Sequence, residues 1–277
     1  MMDKAGKQYW NDSWMASEIP NAIDPQQPEL NNYLNRRFHE YFFEVFSGME
    51  TRGKKLLEIG CARSAWLPYF GKEFGFVIHG LDYSDVGCQK AREVLANENL
   101  EGEVICADFF SPPDTMPEYY DVVVSFGVAE HLEDTTACIK AFSKFLKPNG
   151  IMITSIPNMV GLIGLIQKIF NRPVFDVHMA LDKDALRRAH EVSGLEVLNC
   201  DYFLFTNFGV NNLTGLGHRS IGWFLKKLFL AVMTRFSMMV WSVEFRVGPF
   251  KPNKVVSPYI NCVARKPSTR ISSDQVG

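Results

Sequence analysis

Apolar residues in this chain come in short runs, and several of the runs stop at an acid. Leu56, Leu57 and Ile59 make one run around Glu58, which breaks at Gly60. Val77 to Leu81 make a second, closed by Asp82. Val104 to Ala107 make a third, closed by Asp108, and Tyr120 to Phe126 a fourth, which ends at Gly127 and runs on into Val128-Ala129-Glu130-His131. Runs this short, rich in β-branched residues and bounded by turn residues, predict strands buried on both faces. The segments between them, Ser84 to Asn97 and Thr135 to Leu146, have helix length. A fifth strand, Ile151 to Ser155, follows Lys147-Pro148-Asn149-Gly150. A sixth spans Leu195 to Phe203 and a last one Ser257 to Arg265. Helices are predicted over Leu30 to Phe46 and Lys183 to Val192. Strand–helix–strand alternation implies an α/β fold with parallel pairing and right-handed crossovers.

The acids all fall at the carboxyl ends of these strands, where such sheets bind ligands. Asp82 follows Gly60 by 22 residues, about the ~20-residue interval at which an acid meets ribose hydroxyls in nucleotide-binding sheets. A dinucleotide fingerprint, Gly60-x-Ala62-x-x-Ala65, is disfavoured by the same segment. Its second position needs a bare backbone against the diphosphate, Ala62 hinders that approach, and Glu58 repels phosphate. A carboxylate there suits a cationic or hydroxyl-rich ligand.

Together, Glu58-Ile59-Gly60-Cys61-Ala62-Arg63-Ser64, the Asp82 strand end, Ala107-Asp108, Phe126-Gly127-Val128-Ala129-Glu130-His131 and Lys147-Pro148-Asn149-Gly150 carry a resemblance. Over residues 54–158 the chain resembles the core of the class I S-adenosylmethionine (SAM)-dependent methyltransferases. The resemblance implies a Rossmann-like, seven-stranded, mostly parallel sheet with one antiparallel edge strand, helices on both faces and helical insertions. It implies SAM as cofactor and S-adenosylhomocysteine as product. It gives Asp82 the ribose hydroxyls, Asp108 the adenine amino group, and Tyr83 or Phe109 the flank of the ring. The backbone at Gly60, Cys61 and Ala62 and at Phe126-Gly127 would hold the methionine portion, with Glu58 acting through water or backbone near the amino group. The competing reading of Asp82 and Asp108 is helix capping. The family loop is usually richer in glycine than this one, where Ala62 and Ser64 stand, and a positive φ at either would be strained.

Methyl transfer from a sulfonium is an in-line displacement that depends on alignment and on a base where the acceptor carries a proton. No metal is expected, and the histidines show no metal spacing. His178 is the first candidate for the base, because it follows the fifth strand and imidazole titrates in the useful range; its alternatives are a helix cap or a bridge to Asp176. His131 is the second, against the reading that Glu130-His131 only holds a loop. His79 reads as packed within a strand, and His190 as a surface residue at a helix end.

With 277 residues, 47% of them hydrophobic, the chain can bury a substantial core. A net charge of −2 with dispersed lysines and arginines argues against nucleic-acid binding. The N-terminus lacks an apolar signal run, and the six cysteines show no CxxC pair, so a cytoplasmic setting is expected.

Around the core, residues 1–53 read as an N-terminal helical lid in which Tyr9 and Trp10 could close over the site. Residues 159–193 read as an acceptor-site segment following Asn158, residues 194–266 as C-terminal strands around a helical insertion at 207–256, and 267–277 as a flexible tail. Two apolar segments, 159–170 and 221–236, suggest a small, partly apolar acceptor such as a secondary metabolite or lipid. In the second, Ile221, Phe224, Leu225, Leu228, Phe229 and Val232 share one helical face. That face is expected to pack on the core and line the acceptor site with Phe224 and Leu228; a membrane-surface or homodimer contact is the alternative. Neither segment reaches the ~20 uninterrupted apolar residues of a spanning helix. The alternative function is a non-catalytic SAM-binding protein or a protein methyltransferase.

Overall fold

The protein is described from a computed structural model, over residues 3–216 and 220–268. All but two residues of the expected tail lie outside that range. Seven strands form one sheet: β1 (Lys55–Ile59), β2 (Val77–Asp82), β3 (Glu103–Cys106), β4 (Tyr120–Phe126), β5 (Leu146–Pro157), β6 (Glu196–Phe203) and β7 (Tyr259–Arg265). Their spatial order is β3-β2-β1-β4-β5-β7-β6. The first five pair in parallel, and β7 runs antiparallel to both β5 and β6. The antiparallel strand thus lies one place in from the edge, which β6 occupies.

Alternation within the runs explains why both faces are covered. Leu57 and Val123 face one core cluster; their neighbours Leu56, Val122 and Val124 face the other. The first cluster is closed by α5 (Thr135–Ser143) and α8 (Lys183–Val192), through Ile139, Phe142, Leu186 and Ala189. The second is closed by α2 (Tyr33–Phe46), α3 (Trp66–Phe74) and α4 (Asp85–Asn97), through Phe38, Phe42, Leu67, Phe70, Ala91 and Leu95. α2 therefore buries one face, with Tyr33, Phe38, Phe42 and Phe46, in the core, and α1 (Lys7–Met15) lies nearer the chain's start. α1 is tied to α4 by the Lys7–Asp85 ion pair (2.8 Å) and by the Ser84 hydroxyl, which donates to Asn11 Oδ1 (2.6 Å).

Two expectations change here. His190 is fully buried rather than superficial: α8 lies on the sheet, and the His190 ring sits 3.0 Å from Thr154 Oγ1 on β5. The segment read as ending near Phe236 continues without a break, so α9 (Ile221–Val247) has 27 residues and is long and apolar enough to cross a membrane by length and composition. Its inner face, with Leu230, Ser237, Val240, Trp241 and Glu244, is buried. The stripe expected to pack inward points out instead, with Phe224 60% and Leu228 52% exposed.

Candidate active site

β1, β2, β3 and β4 deliver their carboxyl ends to one edge of the sheet, and a cavity of about 170 Å³ opens there. Seven of the ten residues expected to hold the cofactor line it: Gly60, Asp82, Tyr83, Asp108, Phe109, Phe126 and Gly127. Gly60 has φ +78°, and a Cβ placed there would lie 2.3 Å from Val128 Cγ2, so only glycine serves. Ala62 and Ser64 are not among the positive-φ residues, which removes the strain expected of them. Glu58, Cys61 and Ala62 are buried behind the wall and do not line the cavity. Cys61 lies against Gly80, and burial pushes the Glu58 carboxyl up to about 8.

Asp82 accepts hydrogen bonds from the backbone N–H of Ala62 (3.1 Å) and of Ser84 (2.8 Å). Burial raises its pKa, and these donors oppose the rise. It is not the cap of the following helix: Ser84 is, accepting from the Gly87 N–H at 2.9 Å. Asp108 is exposed, accepts from the Phe110 N–H (2.9 Å), and no helix follows it among the described residues. The capping reading therefore fails for both acids.

The N-terminus supplies one side of the cavity through Asp3, Trp10 and Trp14. Asp3 accepts a hydrogen bond from the Tyr83 hydroxyl, and Trp10 stacks on Trp14 (5.5 Å) and meets the His131 ring edge-on (4.9 Å). Tyr9 lies behind Trp10 and lines neither cavity, contrary to expectation. Asp3 and Trp14 were not singled out from sequence; only the tertiary fold brings residues so far from the strands to the cleft.

A second cavity, about 340 Å³, adjoins the first, and both are lined by Phe126, Gly127 and His131. Its apolar walls include Leu34 and Phe38 of α2, Ile156, and Met159, Ile163 and Val174, with Ile163 on α6 (Leu162–Phe170) and Val174 on α7 (Arg172–Asp176). Met159 and Ile163 bring the segment 159–170 to this cavity, whereas among the described residues α9 contributes nothing to its lining. Asn158 also misses the cavity. It is fully buried as a clamp, donating to the Lys254 and Ser257 carbonyls, each at 2.9 Å.

Glu130, His131 and His178 meet on the wall of this second cavity. Each imidazole has its Nδ1 on a backbone carbonyl, that of Val177 (2.8 Å) for His131 and that of Val174 (2.6 Å) for His178. A carbonyl only accepts, so the proton sits on Nδ1 and both Nε2 atoms keep a free lone pair. His178 does not cap the next helix, α8, whose cap is Asp182, nor bridge to Asp176, which pairs with Arg172; its ring closes the last turn of α7 on the Val174 carbonyl instead. Burial, and secondarily His178, pushes His131 down to about 4; burial also lowers His178, and it pushes the Glu130 acid up to about 8. Glu130 Oε2 has no hydrogen-bond partner. One ligand-capable atom from each residue lies within 4.8 Å of the other two, so the set can hold a metal ion. Sequence spacing could not reveal it, since residues 131 and 178 meet only through the fold.

A family model described as a methyltransferase domain matches residues 29–199, more than half of the chain. Over 110 residues the chain is 26% identical to a ubiquinone biosynthesis O-methyltransferase of Neisseria meningitidis, covering 39% of this chain and 46% of that protein. The chain thus spans about half the length of this curated relative. Among solved structures, a putative sarcosine dimethylglycine methyltransferase from Galdieria sulphuraria superposes with a TM-score of 0.58 at 17% identity, covering 94% of this chain and 98% of that one. A geranyl diphosphate C-methyltransferase from Streptomyces coelicolor gives 0.56 at 13% identity, covering 94% and 96%. The strand order, the acids at the carboxyl edge and the family match agree: the chain belongs to the class I SAM-dependent methyltransferase family.

Proposed function

We propose that the chain transfers the methyl group of SAM to an oxygen or nitrogen, a hydroxyl first, of a small and partly apolar acceptor. The observation that carries this reading is the shared wall of the two cavities at Phe126, Gly127 and His131. Cofactor in the first and acceptor in the second would face each other across it, the arrangement an in-line displacement needs. In the first cavity Asp82 would take the ribose hydroxyls and Asp108 the adenine edge, beside Tyr83 and Phe109. In the second, the bare Nε2 of His178 or His131 would accept the hydroxyl proton as the methyl moves. The mostly apolar walls suit an apolar acceptor body, and the two methyltransferase relatives name a ubiquinone-biosynthesis pathway and geranyl diphosphate. A protein substrate would need a wide polar groove in place of this cavity. Incubating purified protein and SAM with a lipid-soluble extract, then scanning for products heavier by one methylene, tests the proposal. SAM bound but recovered unchanged, with neither S-adenosylhomocysteine nor any such product, would leave the non-catalytic alternative standing.

The unpartnered Glu130 Oε2 favours a second reading of the same site. Glu130, His131 and His178 would hold a divalent cation, since imidazoles tied at one nitrogen to a carbonyl are the usual metal-binding form. The cation would lower the pKa of an acceptor hydroxyl. Activity lost with EDTA and restored by one divalent ion selects this reading; activity indifferent to EDTA selects the free bases.

A further inference from the structure

The outer face of α9 is an apolar stripe running from Ile221, 82% exposed, through Leu228, Val232, Phe236 and Met239 to Val247, 68% exposed. Its steps are three, four and seven or eight residues, the repeat of one helix face, sustained over the full ~40 Å of a 27-residue helix. Monomeric soluble proteins seldom leave so long an apolar strip in water. The helix cannot leave the protein to cross a bilayer without breaking its inner face. There the Phe208 N–H donates to Ser237 Oγ (2.9 Å), Trp241 Nε1 to the Thr206 carbonyl (2.8 Å), and the Tyr33 hydroxyl to Glu244 Oε2 (3.1 Å). One face is fixed to the enzyme from Leu230 to Glu244, and the other is exposed.

Charge selects the occupant. Residues 204–264 hold seven lysines and arginines and one acid, Glu244, in a chain whose net charge is −2. That acid is buried, whereas Lys227, Arg235 and Arg246 are exposed on the helix that bears the stripe. A basic, apolar strip lying along a protein is what an anionic membrane surface takes up. A second copy of the chain would have to set these like charges against each other. We propose that α9 docks the protein in the plane of an anionic lipid surface, with the outer stripe among the acyl chains and the basic residues at the headgroups.

The dock lies beside the acceptor side of the molecule. Ile163 and Ile166 of α6 pack with Leu230 of α9 and Phe208, and Phe170 meets Phe229 at 5.1 Å between ring centroids. Ile163 also lines the acceptor cavity. On the reading proposed above, an acceptor dissolved in the bilayer would enter next to the docked helix. Docking itself rests only on the exposed face, so vesicle binding and methyl transfer can fail separately.

Co-sedimentation of the full chain with vesicles of phosphatidylcholine, alone or mixed with phosphatidylglycerol, tests the inference. The protein should pellet with the anionic vesicles, less with the neutral ones, and less again as salt rises. Val232→Asp with Phe236→Asp should lower the partition about tenfold or more for each apolar side chain lost. Lys227→Glu with Arg235→Glu should lower it about fivefold per charge, on anionic vesicles only. All four positions are exposed, so the thermal midpoint should hold; should the apolar variant not fold, the charge variant decides. Wild-type protein left in the supernatant with both vesicles overturns the proposal. So does a dimer in light scattering that the apolar variant splits, which would make the face a contact between copies. Binding that survives high salt and alkaline wash, released only by detergent, would point to a spanning helix and overturn it too.

Discussion

The rings of His131 and His178 lie 4.4 Å apart, and both are held by carbonyls of one short stretch, those of Val177 and Val174. Residues 174–178 therefore orient both imidazoles at once, and His178 lowers the affinity of His131 for a proton. Replacing His178 removes a lone pair from the second cavity alone, whereas His131 lines both cavities.

His178→Ala should lower turnover by about 10²–10⁴-fold, the usual contribution of a positioned base, while calorimetry shows SAM affinity retained. In the wild type, the acid limb of the rate profile should fall below the ordinary histidine value of 6.5, because burial holds both rings neutral. A limb at or above 6.5 would remove the two histidines from the role of base.

Asp82→Ala should weaken SAM and S-adenosylhomocysteine alike. Each hydrogen bond to a charged group is worth roughly 1.5–3 kcal/mol, about ten- to a hundredfold in affinity. Because Asp82 also receives the Ala62 and Ser84 N–H groups, the thermal midpoint should fall slightly too. Unchanged affinity in calorimetry would confine Asp82 to bracing the loop.

Gly60→Ala combines two penalties, a φ of +78° and a Cβ 2.3 Å from Val128 Cγ2. A non-glycine residue in that backbone region costs about 1–3 kcal/mol before any clash is counted. Denaturant unfolding should show that loss, and SAM binding should weaken with it. Adding Val128→Ala should return the clash portion only, leaving the double variant less stable than Val128→Ala alone.

Glu130 offers a test by pH. Its folded pKa is raised from 4.5 to about 8, so between those values the folded state keeps a proton that the unfolded state has lost. The unfolded state then binds fewer protons, and this group's contribution to stability falls as pH rises. Glu130→Gln removes the dependence. Its melting temperature relative to wild type should climb from pH 4.5 to 8 and level off above. A difference independent of pH would mean the carboxyl is not buried as a neutral acid.

Much of the core was legible because its signals are local. The runs at Leu56, Val77, Val104 and Tyr120 are strands that need burial on both faces, and a strand end fixes where its acid lies. Direction of packing was not legible. In α9 apolar residues surround the helix, so the stripe from Ile221 to Val232 looked like an inner face. The true inner face includes Ser237, Trp241 and Glu244, whose polar atoms meet Phe208, Thr206 and Tyr33. His190 misled for a similar reason: a helix end is usually wet, but α8 lies over Thr154. Asn158 follows a strand end, yet its side-chain NH2 is used up by two carbonyls of a loop about a hundred residues later.

The place of β7 sets an order of events during synthesis. β6 has no sheet neighbour other than β7, and β7 fits between β6 and β5. A ribosome releases residues 196–203 long before residues 259–265, so β6 must wait, unpaired, while the whole α9 segment emerges. The first five strands can pair in parallel as they appear, N-terminal part first. A message cut short just before β7 leaves β5 with an open edge and β6 without a partner. Closure of the described sheet is decided by β7.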